Sequence, residues 1–125
     1  MNGIEYLSNT NCILGLLKAT PEVLEMVSRR TLLASECADS AVPRMELLGY
    51  PSITVTEESL IGDRLSKFTN RAIITEIEDL AIALRRARTF KLSDANIAAM
   101  AIHHGVELLT FDIALLSIVQ SAPSA

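Results

Sequence analysis

Ser93-Asp94-Ala95-Asn96-Ile97-Ala98-Ala99-Met100-Ala101-Ile102-His103-His104-Gly105, followed by Val106-Glu107-Leu108-Leu109-Thr110-Phe111-Asp112, reads as a helix, a stop and a strand. Ile97, Ala98 and Ala101 recur at helical spacing, Ser93 suits the N-cap, and Gly105 suits the residue that ends the last turn. The apolar run 107–111 is too short for a helix and fits a strand. The same alternation continues towards the N-terminus. Thr75-Glu76-Ile77-Glu78 fits a capping box with Thr75 as N-cap, and Ile77, Leu80, Ala81 and Leu84 follow on one face. Thr56-Glu57-Glu58 opens a helix that carries Ile61, Leu65 and Phe68, and Pro43 opens a short one closed by Gly49. Thr20-Pro21 starts another that ends at Arg29-Arg30. Between these helices lie extended candidates over 4–7, 37–42 and 72–74. Short apolar strands separated by helices imply right-handed crossovers and a parallel sheet covered on both faces, so the expected class is α/β, three-layer α/β/α.

With 125 residues, half of them apolar, the chain can bury a core of its own without disulfides or a structural metal. No Gly/Ser linker or repeat divides it, so one domain is expected over 1–120 with a loose tail over 121–125. No apolar run approaches the about 18 residues of a membrane span, and the N-terminus has no basic stretch before an apolar segment. A cytoplasmic protein is expected. Cys12 and Cys37 stand among aliphatic residues and read as reduced core thiols rather than metal ligands. A net charge of −4 disfavours coating nucleic acid by bulk positive charge, yet it is compatible with carboxylates gathered around a cation.

In a parallel sheet, ligands collect beyond the carboxyl ends of the strands. Asp112 follows the strand 107–111. Asp94 lies in the first turn of the next-to-last helix and is turned towards its apolar side by its spacing to Ile97, Ala98 and Ala101. Glu46 sits one turn into the Pro43 helix, just after a strand candidate. Taken singly, Asp94 reads as a dipole-stabilised helix start, Glu46 as a solvated residue and Asp112 as a cap. Together, three acids at one edge repel unless a cation holds them, and an all-oxygen set suits Mg²⁺ or Mn²⁺, the ions of phosphodiester hydrolysis.

Tyr6-Leu7-Ser8-Asn9-Thr10-Asn11, Met45-Glu46-Leu47-Leu48-Gly49-Tyr50-Pro51, Leu92-Ser93-Asp94-Ala95-Asn96-Ile97-Ala98-Ala99 and Leu108-Leu109-Thr110-Phe111-Asp112 resemble the successive motifs of PIN-domain proteins. Among these the chain is most similar to the VapC-type toxins of bacterial toxin-antitoxin modules. The resemblance implies a Mg²⁺-dependent endoribonuclease of three-layer α/β/α fold, an RNA substrate, a homodimer and an antitoxin protein that blocks the site. It assigns Glu46, Asp94 and Asp112 as metal-site acids and Thr10 as the hydroxyl that steadies them. It also reveals a departure. The family's first motif reads Asp-Thr-Asn, whereas this chain has Asn9-Thr10-Asn11, so an amide would serve as the fourth ligand. A unit-charge pair about 4 Å apart is worth about 4 kcal/mol at an effective dielectric of about 20, so the missing charge weakens ion binding. Two functions follow: an endoribonuclease weakened or silenced by Asn9, or a catalytically dead PIN-fold module that acts by binding an antitoxin-like partner. A receiver-type flavodoxin-like domain is a weaker third, since Asn9 stands where its phospho-acceptor aspartate belongs.

Arg85, Arg88 and Lys91 precede Asp94, and Arg44 precedes Glu46, so these four are the expected RNA-backbone contacts. Arg86 is read as complementing the helix dipole. His103 and His104 lie about 15 Å along the helix from Asp94 and read as surface or capping residues. Met26, Met45 and Met100 read as core filler. Ile13, Leu17 and the helix after Thr56 are the expected dimer contacts.

Overall fold

The structure, a computed structural model, describes residues 3–121. Four strands form one parallel sheet: β1 (Tyr6–Ser8), β2 (Cys37–Asp39), β3 (Thr69–Asn70) and β4 (Glu107–Leu109), in the order β3-β2-β1-β4. Seven helices surround it among the described residues: α1 (Thr10–Lys18), α2 (Pro21–Arg30), α3 (Ala41–Leu48), α4 (Val55–Leu65), α5 (Thr75–Ala87), α6 (Leu92–His104) and α7 (Ile113–Ser121). The tail expected over 121–125 lies, beyond Ser121, outside the described residues.

Alternation along the strands divides the core in two. Leu7, Ala38 and Leu108 point to one face and pack with Ile77, Ala98, Met100 and Leu115 of α5, α6 and α7. Tyr6, Cys37 and Leu109 point to the other and pack with Cys12, Ile13, Leu47 and Leu65 of α1, α3 and α4. The α/β/α expectation therefore holds. The register Tyr6↔Cys37 and Tyr6↔Glu107 puts the ends of β1, β2 and β4 level, so their carboxyl termini share one edge.

Several element boundaries differ from expectation. The N-cap of α5 is Ile74, with Thr75 already helical and no capping-box bond, and the N-cap of α6 is Lys91, which leaves Ser93 inside the first turn. Ser40, not Pro43, caps α3, through its hydroxyl to Val42 N at 3.4 Å; Pro43 falls at the third helical position, where its missing N–H costs nothing. The capping box of α4 starts two residues earlier, with Thr54 and Glu57 bonded reciprocally. The third strand is Thr69–Asn70 rather than 72–74, since an exposed edge strand carries no apolar signature.

Cys12 and Cys37 are free and buried, and burial pushes their thiols up to about 12 and about 11, which keeps them protonated and unreactive at neutral pH. Met100 is fully buried and Met26 half-buried, but Met45 is 62% exposed and fills no core. Ile13 is wholly buried, so it cannot serve as a dimer contact in this fold.

Gly15 lets α1 and α2 approach: a β-carbon there would stand 2.3 Å from Cγ2 of the buried Val23 and 3.1 Å from Thr20 Oγ1. Gly15→Ala should therefore destabilise by about 1–3 kcal/mol through overpacking, more than the up to about 1 kcal/mol that helix propensity returns. Thermal denaturation followed by circular dichroism reads the fall in Tm, and a rise would overturn this account of the contact.

Candidate metal and phosphodiester site

The turn from β1 into α1 delivers Asn9 and Thr10 to the carboxyl edge. Asn9 is the N-cap of α1: its Oδ1 accepts from Cys12 N at 2.9 Å, while its Nδ2 donates to Thr110 Oγ1 at 2.8 Å. Thr110 follows β4, and its hydroxyl oxygen also accepts from Asp112 N at 3.1 Å. One side chain thus ties the β1 and β4 exits together. Asp112 in turn caps α7, with Oδ1 accepting from Leu115 N at 3.1 Å, so the capping reading of this acid holds. On the neighbouring side, the Thr10 hydroxyl donates to Glu46 Oε1, which links α1 to α3.

Asp94, in the first turn of α6, is half-buried and faces the same space. Its carboxyl is held above the usual carboxylate range by burial first and by Asp112 next, with a further push from Glu46 and an opposing pull from Lys91. Asp112 and Glu46 therefore both stand close enough to Asp94 to disfavour its charge, whereas Asn9 is tied to Asp112 through Thr110 and the Asp112 backbone. Among the described residues, no group of three or more His, Cys, Asp or Glu side chains is arranged to hold a metal ion. Hydrogen bonds from the Thr10 hydroxyl and the Leu115 N–H occupy one oxygen each of the exposed Glu46 and Asp112. The donor set itself, hard carboxylate oxygens whose mutual repulsion already disfavours ionisation of Asp94, suits a divalent cation of the Mg²⁺ class. The Asn9 oxygen already accepts from Cys12 N and its amide donates to Thr110, so the residue offers that set no charge and at most one free lone pair.

Arg85 and Arg88 are exposed at the end of α5, and Lys91 stands next to Asp94. Arg44 is exposed on α3, and its charge acts on a different acid, Asp39. His103 is exposed and His104 half-buried at the far end of α6, away from the acids.

Asp39 escaped the sequence reading. It ends β2, is 2% exposed, and accepts from Asn70 Nδ2 at 3.4 Å. Alternation puts it on the face of Cys37, beneath α3 and α4, and burial raises its carboxyl above the usual range against the pull of Asn70 and Arg44. An acid directly after two buried apolar residues at a strand end was the available signal. Thr110 was the other omission, a hydroxyl two residues before Asp112.

The PIN domain family model matches residues 6–119. A comparison with curated proteins returned no match. Among solved structures, the chain is similar to a toxin-antitoxin complex from Klebsiella pneumoniae, at 28% identity and a TM-score of 0.71, with 84% of each chain covered. It also resembles VapBC2 from Rickettsia felis bound to a promoter DNA fragment, at 20% identity, a TM-score of 0.73, and 90% and 92% coverage of this chain and that one. FitAcB from Neisseria gonorrhoeae is similar at 20% identity and a TM-score of 0.73 over 94% of each chain.

The raised Asp39 carboxyl makes a prediction about pH. A carboxyl raised in the folded state favours folding while it is protonated, and that contribution is lost as pH rises through the carboxylate range. Asp39→Asn should therefore raise Tm at pH 7 and change it little at pH 4. Equal shifts at both values would contradict burial as the cause.

Proposed function

Because the chain belongs to the PIN domain family, we propose that it is a VapC-type, divalent-metal-dependent endoribonuclease whose ion binding is weakened by Asn9. The observation that carries this reading is the half-buried Asp94, faced by Asp112 and Glu46 at the carboxyl edge of a parallel sheet. In this reading Glu46, Asp94 and Asp112 hold Mg²⁺ or Mn²⁺. Such an ion, when bound, supplies a Lewis acid for the phosphodiester and makes an attacking water more acidic. The chain's own residues do the rest. Thr10 fixes one oxygen of Glu46, the Leu115 N–H fixes one oxygen of Asp112, and the free oxygens are left for the cation. Arg85, Arg88 and Lys91, with the exposed Arg44 of α3, hold RNA phosphates at the rim.

A second reading is favoured by one observation: the Asn9 amide uses both of its ends in hydrogen bonds that a fold-bearing residue would make. The chain would then be a PIN-fold module without cleavage that acts by binding an antitoxin-like protein. In both readings the partner is an antitoxin, in keeping with the toxin-antitoxin assemblies among its structural neighbours. No helix among the described residues is long and apolar enough to cross a membrane, and the proposal places the protein in the cytoplasm.

Asn9→Asp decides between the two. Its second oxygen can accept from the Thr110 hydroxyl, so the junction survives with that hydrogen bond reversed. The added charge should tighten Mn²⁺ binding on the order of 10- to 1,000-fold by calorimetry and create or raise cleavage of mixed RNAs. It should also lower Tm in chelator and raise it again with Mn²⁺. Asp94→Asn in that background should return cleavage to background. An Asn9→Asp chain that binds the ion no better and leaves RNA intact removes the nuclease reading in favour of the binding module.

We also propose a two-fold homodimer that uses α4, where Val55 is 83% and Leu60 60% exposed, together with the half-buried Leu17 of α1. Light scattering should give twice the chain mass of 13.6 kDa, and Leu60→Glu should return it to one. A monomer at micromolar concentration would count against this.

A further inference from the structure

A groove of about 630 Å³ runs between the second half of α5, the loop that follows it and the first turns of α6. Its size lies within the about 300–1,000 Å³ of small-molecule sites. Arg85, Arg86 and Arg88 line it against a single carboxylate, Glu78, and Ile82, Phe90 and Leu92 give it an apolar wall. Ile82 and Leu92 are 47% and 64% exposed, so both offer apolar surface to a ligand beside the three guanidinium groups. Asn96 also lines the groove. It is only 7% exposed, and among the described residues its Oδ1 has no hydrogen-bond partner.

A buried amide oxygen without a donor destabilises the fold, and an aliphatic side chain in the same helical position would avoid the loss. Its neighbours Ala95, Ile97, Ala98 and Ala99 are all apolar and buried. An amide in such a row therefore calls for a donor from outside the chain. Phosphate oxygens match the arginines, a flat unstacked base matches the apolar wall, and a base-edge N–H matches the Asn96 oxygen. Asp94 lies between Leu92 and Asn96 in the chain, about 200° around α6 from each, so the groove and the acids flank opposite sides of the helix's first turns.

We propose that this groove is a base-reading subsite for single-stranded RNA, with Asn96 as the specificity-determining residue and Arg85, Arg86 and Arg88 as the phosphate contacts. The proposal rests on the ribonuclease reading of the acids across α6 and extends it to which RNA is chosen. It also gives Arg86 a role beyond the helix dipole.

Fluorescence anisotropy with labelled homopentamers of the four ribonucleotides, in chelator so that nothing is cleaved, tests it. The parent chain should rank the four with a spread of about fivefold or more, and Asn96→Leu should compress that spread to about twofold while Arg86→Gln with Arg88→Gln weakens all four alike. Asn96→Leu should also keep or raise Tm, because no internal hydrogen bond is lost. A lowered Tm, an unchanged ranking in Asn96→Leu, or no ranking in the parent would overturn the proposal. So would a polyglutamate peptide that competes better than RNA on the parent chain, which would make the groove a surface for an acidic protein. The two levels separate cleanly. Base-selective binding by an Asn9→Asp chain that never cleaves removes only the nuclease, whereas cleavage whose site preference ignores Asn96→Leu removes only this subsite.

Discussion

The amide of Asn9 is the joint on which the carboxyl edge depends. Two parallel strands that leave a sheet side by side share few backbone hydrogen bonds at their exits, and each exit must start a helix. Asn9 answers both needs with one side chain, since its oxygen caps α1 and its nitrogen reaches Thr110 beyond β4. Thr110 passes the constraint on to the backbone of Asp112, which caps α7. The Asn9 backbone N–H adds a bond to Leu109 O at 3.3 Å. The positions of α1, α7 and the Asp112 carboxylate are consequently one linked arrangement.

The acids belong to that arrangement and strain against it. A parallel sheet brings the starts of α1, α3 and α6 to the same edge, and helix starts are where carboxylates are most readily accommodated. Asp94 and Asp112 are locally reasonable there, whereas Glu46 lies in the last turn of α3 and is held by Thr10 instead. Asp94 registers the cost, because burial and two neighbouring carboxylates disfavour its charge. Asp39 offers a contrast on the opposite face of the same sheet. It is more buried, yet its neighbours are an amide and an arginine rather than acids, so its raised carboxyl reflects burial alone. One acid is paired by the fold, and the other is left facing its own kind.

How far the sequence could be read follows from which signals are physical minima and which are degenerate. Helical periodicity was legible for α5 and α6 because Ile77, Ala81, Ala98 and Ala101 must all reach one core. Their starts were not, since Ser93 and Thr75 are as acceptable inside a first turn as at a cap, and the chain closed the cap on backbone geometry at Lys91 and Ile74. The edge strand β3 was illegible, being two exposed polar residues that pair only because β2 lies beside them. Glu46, Asp94 and Asp112 could be singled out from strand and helix ends, and their mutual influence emerges in the fold. Asn9's bond to Thr110 could not be read, because the two are 101 residues apart and either would be an unremarkable polar residue. Asp39 and Asn96 escaped for the same reason, as burial of a polar group leaves no periodic trace.

The choice of asparagine at position 9 can be taken one step further. Asparagine and aspartate cap helices about equally well, and both fit the same volume, so the cap does not distinguish them. The bond to Thr110 does not distinguish them either, because a hydroxyl donates as readily as it accepts. What separates the two residues is charge. An aspartate at position 9 would stand one hydrogen-bonded residue from Asp112 and add to an edge where Asp94 already resists ionisation, so without a cation the amide is the more stable choice. With a cation bound the order reverses, because the same charge becomes attractive at contact distance. For the proposed nuclease, position 9 therefore sets the balance between a fold that is stable empty and a site that is strong when filled, and asparagine favours the empty fold.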